Sequence, residues 1–133
     1  MIALDTNVLV RYLAQDDPAQ SPTATALIEQ QLSVRNPGFV SCIVLLELHW
    51  VLSRHYAVTP ARFADIARGL LSAQALSFDN VQAAWNALQA FEDGFDFADA
   101  LLAELGASAG CEATVTFDRG LARHSKARLL VAA

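Results

Sequence analysis

The carboxylates of this 133-residue chain are the side chains whose placement could do chemistry. Asp5 follows the short apolar run Ile2-Ala3-Leu4. Asp118 stands two residues beyond the end of Ala113-Thr114-Val115-Thr116, the segment with the strongest strand composition. Glu47 falls in the early turns of an apolar helix that follows a second short run, Phe39-Val40, and Asp99 lies near the start of the helix leading into the fourth strand. In parallel α/β sheets, ligands sit beyond the carboxyl ends of the strands, so these four acids from distant stretches are expected at one rim. Converging carboxylates repel unless a proton or a cation relieves them. At neutral pH a divalent ion is the better solution, and a set without cysteine or histidine suits Mg²⁺ or Mn²⁺ rather than zinc. Acid-held ions of this kind serve phosphoryl chemistry: they polarise a phosphodiester, activate water and steady the leaving oxygen.

The neighbours agree with that chemistry. Thr6 and Asn7 open the helix after Asp5, where side chains and free N–H groups can orient the carboxylate or meet a phosphate. Thr116 precedes Asp118 on the same side of its strand and can support a water or a carboxylate. Each acid also has a plainer use. Asp5 would serve as a helix cap, Asp99 as a first-turn acid favoured by the helix dipole, and Asp118 as the partner of Arg119. Glu47 resists such a reading: its flanks Val44, Leu45, Leu46, Leu48, Val51 and Leu52 leave little polar face, and a buried unpaired glutamate is costly.

These acids need elements to position them. Helical spacing of Val8, Leu9, Tyr12 and Leu13 follows the first strand. Ser21-Pro22 reads as a cap with proline at the first helical position, opening a helix to about Leu32. Ser41 caps a helix over Ile43–Tyr56, Thr59-Pro60 starts one through Ala73, and Asp79 caps one containing Val81, Trp85, Leu88 and Phe91 that ends at Gly94. Asp96 opens Phe97–Ala109, closed by Gly110. Ala75–Phe78 and Leu129–Val131 complete five short strands. Strands alternating with long helices indicate an α/β domain whose parallel sheet is covered on both faces.

Composition sets the limits. Hydrophobic residues make up 54%, mean hydropathy is +0.32 and the length fits one domain, which excludes disorder. Cys42–Leu52 is interrupted by Glu47 and His49, so no stretch reaches the roughly 20 apolar residues of a bilayer span. No basic leader precedes Ile2, and a cytoplasmic location is expected. Cys42 and Cys111 read as buried small hydrophobes. The net charge of −5 argues against nucleic-acid binding by bulk electrostatics. Charge is nevertheless segregated, with Arg119, Arg123, Lys126 and Arg128 near the end and Glu92, Asp93, Asp96 and Asp99 clustered before them. His124, in that basic tail, could touch phosphate. Trp50, Trp85, Phe91, Phe95 and Phe97 suit a core or a dimer interface better than base stacking.

Asp5-Thr6-Asn7-Val8-Leu9, Leu45-Leu46-Glu47-Leu48, Asp96-Phe97-Ala98-Asp99-Ala100-Leu101-Leu102-Ala103 and Thr116-Phe117-Asp118-Arg119 occur in that order over essentially the whole chain. Together they resemble a PIN-domain ribonuclease of the VapC toxin type. The resemblance implies a single domain over residues 1–133, a PIN-like three-layer α/β/α sandwich with a central, mostly parallel five-stranded sheet. It further implies metal-dependent cleavage of RNA, homodimerisation and a small VapB-like antitoxin partner. By position, it makes Asp5, Glu47, Asp99 and Asp118 the acidic quartet for Mg²⁺ (or Mn²⁺). Thr6, Asn7, Asp96, Thr116 and Arg119 are left to support the acids or touch substrate. The family's acid precedes a Leu/Ile-Ala run, here at Asp99, which leaves Asp96 as a cap or a supporting group. Two other readings stand beside this one. A non-catalytic interaction module would keep the fold without the metal. An aspartyl-phosphate phosphatase with Asp5 as nucleophile would need a second acid where Asn7 stands.

Overall fold

In a computed structural model of residues 1–133, every strand is two or three residues long and every strand pair is parallel. The chain divides into two compact units, Met1–Asp79 and Asn80–Ala133. The five strands and their parallel sense agree with the sequence reading. Their hydrogen bonds form a three-stranded and a two-stranded sheet rather than one continuous ladder. No helix is long and apolar enough to cross a membrane.

In the first unit, β1 (Ile2–Ala3), β2 (Gly38–Val40) and β3 (Leu76–Phe78) pair in that order. Parallel neighbours require long crossovers, and helices supply them. Between β1 and β2 run α1 (Thr6–Ala14) and α2 (Gln20–Ala26), the latter continued by a π-helical turn, Leu27–Gln31. Between β2 and β3 run α3 (Cys42–His55) and α4 (Pro60–Ser72). The register sets Ala3 against Phe39 and Val40 against Phe78. Asp5, Ser41 and Asp79 therefore emerge together at the carboxyl ends of the strands. Leu4, Leu9, Val40, Leu45, Leu48, Leu52 and Phe63 form the core beneath. Each such side chain contributes about 1.5–3 kcal/mol when fully buried.

Ser41 and Thr59 cap α3 and α4 as their positions suggest, accepting from the amides of Val44 and Arg62. Two caps differ from the reading. Ser21 is buried inside the first turn of α2, and it is Asp17 that accepts from the amides of Gln20 and Ala19, which together hold its carboxyl below the usual range. Asp79 reaches back to the amide of Cys42 at the start of α3, and Asn80 caps the next helix instead. At Asp79 a tertiary contact overrides the local signal, whereas at Ser21 a nearer acid, Asp17, takes the amides and the serine is buried.

The second unit contains α5 (Val81–Glu92), α6 (Phe97–Ser108), β4 (Thr114–Thr116), the short α7 (Arg119–Ala122) and β5 (Ala127–Leu129). Ala83, Ala84, Ala87 and Ala90 on α5 and Ala100 and Ala103 on α6 are buried, so the two helices meet through small side chains. Gly94 takes φ 105° after α5, a left-handed exit that glycine adopts without penalty. β5 lies two residues earlier than the apolar run Leu129–Val131 suggested. The amide of Thr114 bonds to the Lys126 carbonyl, and this starts the ladder ahead of Ala127, leaving Leu130 and Val131 exposed. Cys42 is buried as expected, whereas Cys111, just past the end of α6, is exposed.

Candidate active site

In the first unit, Asp5 has extended backbone and caps α1, its Oδ1 accepting from the Thr6 amide at 2.7 Å. The buried Thr6 donates its hydroxyl to Glu47 Oε1 at 3.2 Å, so one threonine ties the start of α1 to the middle of α3. Asp5, Thr6, Asn7 and Glu47 face one hollow of about 460 Å³, shared with Arg11 and Tyr56. Glu47 is exposed, which corrects the expectation of a buried carboxylate. Helix α3 buries Cys42, Val44, Leu45, Leu48 and Leu52, and its other stripe presents Ile43, Glu47 and Trp50 outward. Apolar flanks therefore do not bury Glu47, because exposed apolar side chains share its face.

Sequence reading missed the wall of this hollow. Arg11 donates through Nε to Gln20 at 2.8 Å and through Nη1 to Asp16 at 3.3 Å. Tyr56 donates to the other Asp16 oxygen at 2.7 Å, and that bond is the main cause holding its hydroxyl above the usual phenol range. A usable signal existed: Arg11 lies four residues after Asn7, on the same face of α1.

In the second unit, Asp96 caps α6 by accepting from the Asp99 amide at 3.0 Å, the role its spacing indicated. Burial raises the carboxyl pKa of Asp99 above its ordinary value, and the charges of Asp96 and then Asp118 push it further. Asp118 caps α7, its Oδ1 accepting from the amides of Gly120 at 2.7 Å and Leu121 at 3.3 Å. It therefore serves the helix and forms no pair with Arg119, which is exposed. Thr116 holds Asp118 from below, its hydroxyl accepting from the Asp118 amide at 3.0 Å.

His124 lies away from phosphate chemistry. It is buried, its Nδ1 accepts from the Lys126 amide, and its ring meets Phe95 edge-on. Lys126 and His124 both face the buried carboxylate of Glu104, which the sequence reading passed over. Two of the supposed basic-tail groups are thus committed to Glu104, His124 within the fold and Lys126 from its partly exposed edge. Trp50, by contrast, is half exposed beneath Arg54, while Phe97 is buried.

The structure thus sets Asp5 beside Glu47 in one unit and Asp99 within the field of Asp96 and Asp118 in the other. No three or more His, Cys, Asp or Glu side chains are drawn close enough to hold a metal ion. The donor chemistry still fits a hard cation. The acids offer oxygen alone, and an ion near Asp99 would reverse the repulsion that raises its pKa.

The family model of the PIN domain matches residues 2–127, and the chain belongs to the PIN-domain family. The parallel α/β architecture is that of this family. Its members are generally nucleases and typically use divalent metal ions, so the activity is that of a nuclease. No curated protein sequence matches the chain.

Proposed function

From PIN-domain membership as the premise, we propose that the chain is a metal-dependent endoribonuclease, the toxin of a toxin–antitoxin pair, acting as one domain over residues 1–133 in the cytoplasm. Asp5, Glu47, Asp99 and Asp118 hold Mg²⁺ or Mn²⁺. One observation carries this reading. None of these four acids forms an ion pair with any of the nine lysine and arginine side chains of the chain. Their hydrogen-bond partners are amides and a hydroxyl, which orient a carboxylate without neutralising it.

A bound divalent ion supplies Lewis acidity toward the phosphodiester and offsets the charge that develops on its oxygens. The protein supplies orientation. Asp5 is presented at the N-terminus of α1, held there by the amide of Thr6. Thr6 fixes Glu47, Asp96 sets the first turn that carries Asp99, and Thr116 steadies Asp118. No side chain acts as a covalent nucleophile in this scheme. The exposed Ile43 and Trp50, one stripe on α3, support a protein partner, which we assign to a small VapB-like antitoxin or the second copy of a homodimer.

The test is incubation with cellular RNA in Mn²⁺ and in EDTA, with the new ends mapped. Wild type is expected to cut only with metal, and Asp5→Asn to lose cleavage with an unchanged circular dichroism spectrum. Undiminished, metal-independent cleavage by that variant would refute the proposal.

A further inference from the structure

Arg11 stands on the wall between two hollows. One is the acid-lined hollow of about 460 Å³. The other, of about 490 Å³, lies between α1 and the α2 segment, and Asn7 and Arg11 line both. An arginine beside two unpaired carboxylates would ordinarily neutralise one of them. Here Gln20, Asp16 and Tyr56 hold the guanidinium elsewhere, and Tyr56 fixes the second oxygen of Asp16 as well. The bonds use Nε and Nη1, and Nη2 makes none to the protein. The Arg11 side chain keeps 33% of its surface exposed, so its outward N–H groups are accessible.

Such a fixed, planar guanidinium suits a phosphate that accepts through its two non-bridging oxygens, which a mobile ammonium would meet only as a point charge. A polyanion approaching Asp5 and Glu47 is repelled by them, and the N–H donors that Arg11 keeps on the wall of the same hollow, beyond its pair with Asp16, offset part of that repulsion. The net charge of −5 makes such a local device necessary, since bulk attraction for RNA is lacking. We propose that Arg11 binds a backbone phosphate of single-stranded RNA beside the scissile bond, with Gln20, Asp16 and Tyr56 positioning the guanidinium. The proposal rests on the nuclease reading and names a substrate contact within it.

The competing role is a brace from α1 to Gln20 and Tyr56. Steady-state cleavage of a short fluorescent single-stranded RNA in Mn²⁺, across a range of salt, separates the two. Arg11→Ala is expected to raise KM about tenfold, to leave kcat within about threefold and to reduce the salt slope by about one. Arg11→Lys should recover the salt slope and part of the KM, because it keeps the charge and loses the planar guanidinium. An unchanged KM and salt slope in Arg11→Ala would overturn the proposal. So would a loss in kcat alone accompanied by a lowered Tm, the behaviour of a brace. Binding of the same RNA in EDTA tests the contact independently of cleavage. Arg11-dependent binding by a wild-type protein that does not cut would sustain the subsite and defeat only the nuclease reading. Absence of RNA binding by wild type would overturn the subsite.

Discussion

Asp99 shows how a single carboxyl can reveal what it was built to meet. Its pKa is raised from 3.8, first by burial and then by Asp96 and Asp118, so folding favours its protonated form. That contribution is complete below the unfolded value and disappears as pH rises through the folded one, leaving the ionised group a cost at neutral pH. Asp99→Asn should therefore raise the metal-free Tm at pH 7, a gain that shrinks as pH falls toward the ordinary carboxyl range. It should also lower RNA cleavage at least about a hundredfold, as expected for loss of a charged contact to the reacting ion. Thermal melts and initial rates check both, and a fall in metal-free Tm would contradict the assignment. The positions of Asp5, Asp96 and Asp99 were readable because local spacing fixes a helix start. The exposure of Glu47 was not, since apolar neighbours say nothing about which stripe of a helix the core takes. The Arg11, Asp16 and Tyr56 network joins residues up to 45 apart, and no local pattern announces it.

Among the elements, the caps carry most of what the sequence made legible. Ser41, Thr59 and Asp96 cap the helices they precede, while Asp118, whose plain use the sequence put with Arg119, turns out to cap α7. Ser21 and Asp79 failed as caps because each had a stronger distant or buried use. For α6, Asp96→Ala should cost about 1 kcal/mol while Asp96→Asn, which keeps the cap oxygen, costs little. Urea unfolding distinguishes the two, and equal losses would show that the carboxylate charge, not the cap, is what matters. Glu104 ties α6 to the turn before β5. Lys126→Met leaves that buried carboxylate without its main partner and should cost about 3 kcal/mol, whereas Glu104→Gln keeps a polar side chain there and should cost less. The reverse ranking would mean that the pair is dispensable and that burial of the Glu104 stem does the holding.

For the molecule as a whole, the α/β class and the parallel sense of all five strands follow from short apolar runs separated by long helices. Division of the ladder into β1-β2-β3 and β4-β5 does not follow, because strands of two or three residues carry too few side chains to specify a neighbour. The last strand was misplaced for the same reason: Leu129–Val131 is more apolar, but the backbone bond from Thr114 to Lys126 sets the register. If an ion binds the folded state alone, Mn²⁺ at a hundred times its Kd should stabilise the protein by about 2.7 kcal/mol. A melt that is independent of Mn²⁺ would contradict this.

Calorimetric titration with Mn²⁺ tests the central claim most directly, applied to the wild-type chain, Asp5→Asn and Asp99→Asn. Saturable uptake by wild type is expected, with the heat lost in both variants. A wild-type chain that takes up no Mn²⁺, or variants that bind it as wild type does, would contradict it.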